Sequence, residues 1–122
     1  MKVVIQRVKS AELFVENKFY SKIGSGLLVL VAVSKYDKHE DINWMANKLV
    51  NLRIFNDEND QMNHSVDEVN GEIMIVSQFT LYASTKKGNR PSFIKSAGGN
   101  FAEKSYLDFV DMVNRIYKFK VY

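Results

Sequence analysis

Apolar and polar positions along this chain fall into short blocks whose period switches between two and about 3.6 residues, the spacings of strands and helices. Val3 to Val8 and Ala11 to Val15 alternate or run apolar at strand length, with Lys9-Ser10 as a bend between them, and Phe19 to Ile23 predicts a third short strand. Gly24-Ser25-Gly26 then turns the chain into Leu27-Leu28-Val29-Leu30-Val31-Ala32-Val33, an unbroken apolar run that predicts a strand buried on both faces. Asp37 and Glu40 have the spacing of a capping box, and Ile42, Met45, Ala46, Leu49 and Val50 recur behind it at helical spacing. Arg53-Ile54-Phe55 predicts a short strand, Asn56 to Gln61 a polar turn, and Ile73-Met74-Ile75-Val76 another apolar strand. After the Gly98-Gly99-Asn100 break, Ala102, Tyr106, Phe109, Val110, Val113, Ile116 and Tyr117 mark a second amphipathic helix, and Phe119 to Tyr122 reads as the start of a further strand.

Strands before, between and after two helices predict an α/β fold: a mostly antiparallel or mixed sheet with both amphipathic helices covering one face. No repeat, low-complexity stretch or linker interrupts the pattern, so the 122 residues are read as one domain spanning 1–122. A hydrophobic content of 46% with 25% charged residues excludes a disordered chain. The absence of cysteine rules out disulfides, thiolate zinc sites and a thiol nucleophile, and suits a reducing compartment. The first residues turn polar too early for a signal peptide, and Leu27 to Val33 is too short to cross a bilayer, so a cytoplasmic protein without membrane contact is expected. The net charge of +3 permits a polyanionic partner without requiring one.

Candidate chemistry gathers at Ser77-Gln78-Phe79-Thr80-Leu81, where the apolar strand ends in polar side chains around one aromatic. Such a strand end holds backbone N–H groups rigidly, and the loop from Tyr82 to Pro91 lets a ligand reach them. Lys86, Lys87, Arg90 and Lys95 follow within ten residues, with Gly88, Asn89 and Pro91, as an exposed segment suited to phosphate. The competing reading is a charged loop that is merely solvated. Arg115, Lys118 and Lys120 either extend this surface or simply favour the end of their helix.

Other motifs carry less. Gly24-Ser25-Gly26 has dinucleotide-loop spacing, but a strand follows where a phosphate site needs a helix, so it reads as a turn. Asp57, Asn59, Gln61 and Glu68 fall at calcium-loop positions, yet Met62 stands where glycine is required. His39 and His64 lack the spaced partner of a helical metal site, so neither a metal nor an imidazole base is expected. Nothing recommends a triad.

The blocks Ile5-Gln6-Arg7-Val8, Gly26-Leu27-Leu28-Val29-Leu30, Arg53-Ile54-Phe55, Met62-Asn63 with Ser65-Val66, Ser77-Gln78-Phe79-Thr80-Leu81 and Gly88-Asn89-Arg90-Pro91-Ser92-Phe93 together resemble the D-aminoacyl-tRNA deacylases, once called D-tyrosyl-tRNA deacylases. The likeness runs through essentially the whole chain in the family's order. It implies a homodimeric, cofactor-free hydrolase that cleaves the ester joining a D-amino acid, or glycine mischarged on alanine tRNA, to the terminal adenosine of tRNA. Ser77, Gln78, Phe79 and Thr80 would form the catalytic wall, with Arg7, Met62, Pro91 and Phe93 supporting the substrate pocket and Lys86, Lys87, Arg90 and Lys95 binding tRNA. Because ester hydrolysis builds charge on the carbonyl oxygen, the Phe79 and Thr80 N–H groups are the expected oxyanion donors. A Thr80 nucleophile is the alternative, but its hydroxyl would need a base.

Two departures shape the expectations. The family carries a Gly-Pro cis peptide near its C-terminus that enters the partner's active site and excludes L-amino acids, whereas the single proline here, Pro91, follows Arg90. The sequence is therefore expected to lack the family's C-terminal strands, to leave Arg7 without the dipeptide it steadies, and to be less stable and less active than a full-length relative. A tRNA-binding protein with impaired catalysis is the alternative function. Ser84, where many members have aspartate, is a smaller divergence.

Overall fold

The computed structural model describes residues 1–117. Strands β1 (Lys2–Val8), β2 (Ala11–Val15), β3 (Lys18–Ile23) and β4 (Gly26–Ala32) precede helix α1 (His39–Asn51). Short strands β5 (Phe55–Asn56) and β6 (Met62–His64) lead to β7 (Glu72–Ser77), a 3-10 turn (Phe79–Tyr82) and helix α2 (Gly99–Ile116). The expected α/β architecture is thus present with a mixed sheet, in which central β4 runs antiparallel to β1 and parallel to β7. β2 and β3 form a separate hairpin, where Glu16 and Asn17 adopt φ of 51° and 63° in a two-residue turn that follows the twist of the strands.

Alternation along the strands decides which residues meet the helices. Val3, Val31 and Ser77 share one row across the sheet; Ile5, Val29 and Ile75 form the next, and Arg7, Leu27 and Ile73 a third. The apolar members of these rows pack with Ile42, Ala46, Leu49 and Val50 of α1 and Phe109 and Val113 of α2. On the opposite face Leu28, Leu30 and Val76 are only half-buried and Val4 is exposed. The expectation that β4 is buried on both faces therefore holds fully on the helical side alone, because both helices lie there.

Several boundaries move for local reasons. Asp37 does not cap α1: its carboxylate accepts from the Met1 ammonium at 2.6 Å and the Ser34 N–H at 2.8 Å. The helix starts one residue later, with the Lys38 N–H donating to Asp41 at 2.8 Å. The short strand expected at Arg53-Ile54-Phe55 lies instead at Phe55–Asn56, where it pairs with β6, so Asn56 leaves the predicted turn. Asp57 closes that turn by accepting from the N–H groups of Asn59 and Gln61 at 2.9 and 3.1 Å, which hold its carboxyl below the usual carboxylate range. Its use there explains the calcium-like spacing as a backbone turn. The strand expected at Phe119 to Tyr122, and the cations Lys118 and Lys120, lie outside the described residues.

Helix α2 ends at Ile116, one residue before the expected Tyr117, whose side chain serves another purpose. The Tyr117 hydroxyl donates toward the carbonyls of Gly71 and Val66, at 2.5 and 3.3 Å, and fastens the helix to the segment entering β7. Burial, then the Asp67 and Glu72 carboxylates, push this phenol up to about 12. Tyr117→Phe should cost about 1–3 kcal/mol, since a buried acceptor loses its donor. Thermal melts check this, and their pH dependence carries the sign: the tyrosine's contribution is intact below the unfolded-state value of about 10 and lost as pH rises through the folded value. The phenylalanine variant should lose that alkaline component.

Candidate active site at the end of β7

The sheet delivers Ser77 to an open end. β7 gains one further bond beyond it, from the Gln78 N–H to the Val31 carbonyl at 2.7 Å, before the chain tightens into the 3-10 turn. Within that turn the Leu81 N–H reaches the Gln78 carbonyl at 3.2 Å, while the N–H groups of Phe79 and Thr80 come too early to find a carbonyl behind them. Neither has an intramolecular acceptor among the described residues. Ser77 and Phe79 are exposed; Gln78 and Thr80 are half-buried, and the Gln78 amide donates to Thr80 Oγ1.

The wall beside this cradle is held from three sides. Phe93 meets Phe79 edge-on, with ring centroids 5.4 Å apart at 71°. Ser84 and Ser92 exchange two backbone hydrogen bonds of 2.8 Å and close residues 85–91 into a tethered loop, and the Ala97 N–H returns the chain to the Val33 carbonyl at 2.8 Å. Lys2 donates to the Leu81 carbonyl at 3.4 Å, its ammonium 4.9 Å from the centre of the Tyr82 ring. The tethered loop and the turn after it shape a cavity of about 250 Å³ lined by Lys86, Lys87, Arg90 and Lys95 together with Tyr82 and Ile94. No carboxylate lines it. Burial, with Asp37 nearby, pushes the Tyr82 phenol up, so it stays a neutral donor within a cationic wall.

The tertiary structure brings together Ser77, Gln78, Phe79, Thr80 and Phe93, with Lys86, Lys87, Arg90 and Pro91 adjacent in the tethered loop and Lys95 in the turn after it. Arg7 and Met62 are elsewhere in this chain. Arg7 stands four positions along the sheet from the row of Ser77, a separation of about 13 Å. Its guanidinium donates to the Ile54 carbonyl and to Asn56 Oδ1, each at 2.9 Å, and Met62 is the exposed β6 partner of Asn56. The histidines stay apart from this wall: His39 opens α1, exposed, and His64 pairs with Glu68 at 3.4 Å. Lys2 and Tyr82 join the site unannounced by any motif, since only the β1–β4–β7 register sets the chain's first strand beside the 3-10 turn.

Fold and site together define a small α/β protein with an open backbone cradle at a strand end, flanked by a cationic loop. The family described as D-Tyr-tRNA(Tyr) deacylase matches residues 4–122. A D-aminoacyl-tRNA deacylase of Flavobacterium psychrophilum is 53% identical over 113 residues, 93% of this chain and 75% of the relative. One from Clostridium novyi is 50% identical over 112 residues, covering 92% and 75%. Among solved structures, the c-Myc DNA Unwinding Element Binding Protein superposes with a TM-score of 0.91 at 35% identity, covering 100% of this chain and 85% of that one. The chain belongs to the D-Tyr-tRNA(Tyr) deacylase family, as the ordered sequence blocks implied.

Proposed function

We propose that this protein hydrolyses the ester of D-aminoacyl-tRNA, releasing free tRNA and the D-amino acid, with activity on glycine mischarged to alanine tRNA. The observation that carries the mechanism is the pair of unengaged N–H groups at Phe79 and Thr80 beside a cationic loop. As an oxygen nucleophile adds to the ester carbonyl, negative charge grows on the carbonyl oxygen, where two fixed donors stabilise the transition state more than the neutral ester. The alkoxide of the terminal ribose then leaves with a proton from water. Ser77 shapes the mouth of the cradle, and Phe93 keeps the Phe79 ring in place.

The surroundings of Thr80 favour a backbone role. Its Oγ1 accepts from the Gln78 amide, and among the described residues no imidazole or carboxylate touches it. An unactivated hydroxyl whose lone pair is engaged is a weak nucleophile, so attack falls to a positioned water, with a substrate hydroxyl orienting it. Pro91 stiffens the tethered loop that carries Lys86, Lys87 and Arg90 to the acceptor-end phosphates, with Lys95 just after it, whereas Arg7 and Met62 are engaged around Asn56 and take no part in this pocket. A homodimer fits the hairpin, where Phe14 and Phe19 stack edge-on yet remain more than half exposed. No described helix is long and apolar enough to cross a membrane, and a cytoplasmic location suits a tRNA substrate.

Matched D- and L-aminoacyl-tRNA test the proposal. Selective release from the D form supports it, whereas binding without turnover supports the impaired tRNA-binding alternative. Charge reversal at Lys86, Lys87 and Arg90 should weaken tRNA affinity at least tenfold at low salt and flatten its dependence on salt, because each lost phosphate contact removes about one unit of counterion release. Unchanged binding would move the phosphate surface elsewhere.

A further inference from the structure

Helix α1 has an outward face that neither the core nor the β7 site uses. Trp44, Asn47, Lys48 and Asn51 recur there at intervals of three and four residues, opposite the buried Ile42, Ala46, Leu49 and Val50. With Leu52 and Arg53 they line an open cleft of about 390 Å³. Trp44 is 59% exposed, which is unusual for the largest apolar side chain in a protein that has only one tryptophan. We infer that this cleft binds one unpaired nucleotide of the tRNA substrate, the base stacked on the Trp44 indole and its phosphate held by Lys48 and Arg53.

The chemistry of the cleft supports that occupant. Lys48 Nζ lies 5.3 Å from the centre of the Trp44 ring, so a cation and an aromatic face are presented together, as in sites that bind unpaired nucleotides. Arg53 donates Nε to the Asn63 carbonyl at 2.7 Å and one terminal nitrogen to Asn63 Oδ1, which fixes the guanidinium and leaves its other terminal nitrogen for a phosphate oxygen. Asn47 donates to the Asn43 carbonyl at 2.9 Å and Asn51 to the Asn47 carbonyl at 2.8 Å. Both amides thus point their donors back along the helix and keep their oxygens as acceptors, the polarity that an exocyclic base amine requires. No carboxylate lines the cleft. Lys2, which braces Leu81 in the site, follows Met1, which shares a second hollow with Trp44, Asp37 and Asp41, the Met1 ammonium pairing with Asp37 at 2.6 Å, so the two surfaces lie along one flank of the molecule.

This inference rests on tRNA being the substrate, and the single tryptophan supplies a direct readout. Titrating the full chain with uncharged tRNA should quench Trp44 emission saturably, with an apparent Kd that rises with salt. Trp44→Ala should raise KM for D-aminoacyl-tRNA about tenfold, the scale of one lost base stack, with kcat unchanged; Trp44→Phe should restore most of the loss. Lys48→Glu should weaken tRNA binding to a similar degree. D-Aminoacyl-adenosine, which lacks the remaining nucleotides, should be cleaved equally well by the parent and Trp44→Ala proteins. Absence of quenching, or a Trp44→Ala protein with unaltered KM while D-aminoacyl-tRNA is still cleaved, overturns the inference and leaves the deacylase reading intact. Quenching by tRNA without hydrolysis has the opposite meaning. Quenching by a protein partner in place of tRNA would make the cleft a protein-docking surface and refute the assignment.

Discussion

Replacing Phe79 by proline should lower kcat for D-aminoacyl-tRNA by about a hundredfold to a thousandfold relative to Phe79→Ala, the usual cost of one lost oxyanion donor. The comparison isolates the N–H because both variants lose the ring that meets Phe93, while only proline also loses the donor. Position 79 tolerates proline: it opens the 3-10 turn, whose usual φ of about −50 to −70° matches the ring, and Gln78 before it has φ −146° and ψ 83°, outside the helical region that proline disfavours. No backbone bond is lost, since the Phe79 N–H has no intramolecular acceptor among the described residues. Thr80→Ala completes the test. It keeps the second N–H and should retain activity within about tenfold, because an unactivated hydroxyl contributes little. Near-complete loss in a folded Thr80→Ala protein, with Phe79→Pro still active, would transfer the chemistry to the threonine side chain. Single-turnover kinetics separate these outcomes from changes in tRNA binding.

Gly26→Ala should unfold the protein or detach β7 at a cost above about 4 kcal/mol, a large share of the roughly 5–15 kcal/mol that holds a domain of this size. A Cβ at position 26 would lie 1.8 Å from the Glu72 carbonyl oxygen and 2.6 Å from its nitrogen. Both are backbone atoms of the residue paired with Gly26 in the β4–β7 ladder, so relief requires separating the strands. Because β7 carries Ser77 and the 3-10 turn, the substitution should abolish deacylation together with stability. Gly24→Ala is the control. Its nearest atom would be a flexible Glu72 carboxylate oxygen at 3.7 Å, an ordinary contact, and its effect should stay within about 1 kcal/mol. Denaturant midpoints measure both, and equal midpoints would remove the steric account of Gly26.

Periodicity read most of the strands and both helices correctly, because each must turn one apolar face toward a shared core. Val3, Ile5, Leu49 and Phe109 lie where alternation or helical spacing puts them, and Val29 and Ile75 lie in the core as their unbroken apolar runs predict. The misses are residues whose local preference yields to a distant partner. Asp37 has the spacing of a cap but pairs with the Met1 ammonium, and Tyr117 continues the apolar stripe of α2 but leaves the helix to reach Gly71 and Val66. β6 is three residues long, too short for any period to register.

The same division applies to function. The amino-acid sequence by itself determined the family, through blocks in a specific order, and singled out a candidate stretch, because a strand ending in Ser77-Gln78-Phe79-Thr80 interrupts an apolar run with groups that a core does not bury. Which backbone groups stay unpaired cannot be read from a list of side chains. Only the tertiary structure decided that the Phe79 and Thr80 N–H groups are left open, that Gln78 engages the Thr80 hydroxyl, that Lys2 reaches the site from strand β1 across β4, and that Arg7 stands away from it. Each depends on strand register and turn geometry, which set distances between residues far apart in the chain and leave no local pattern to read.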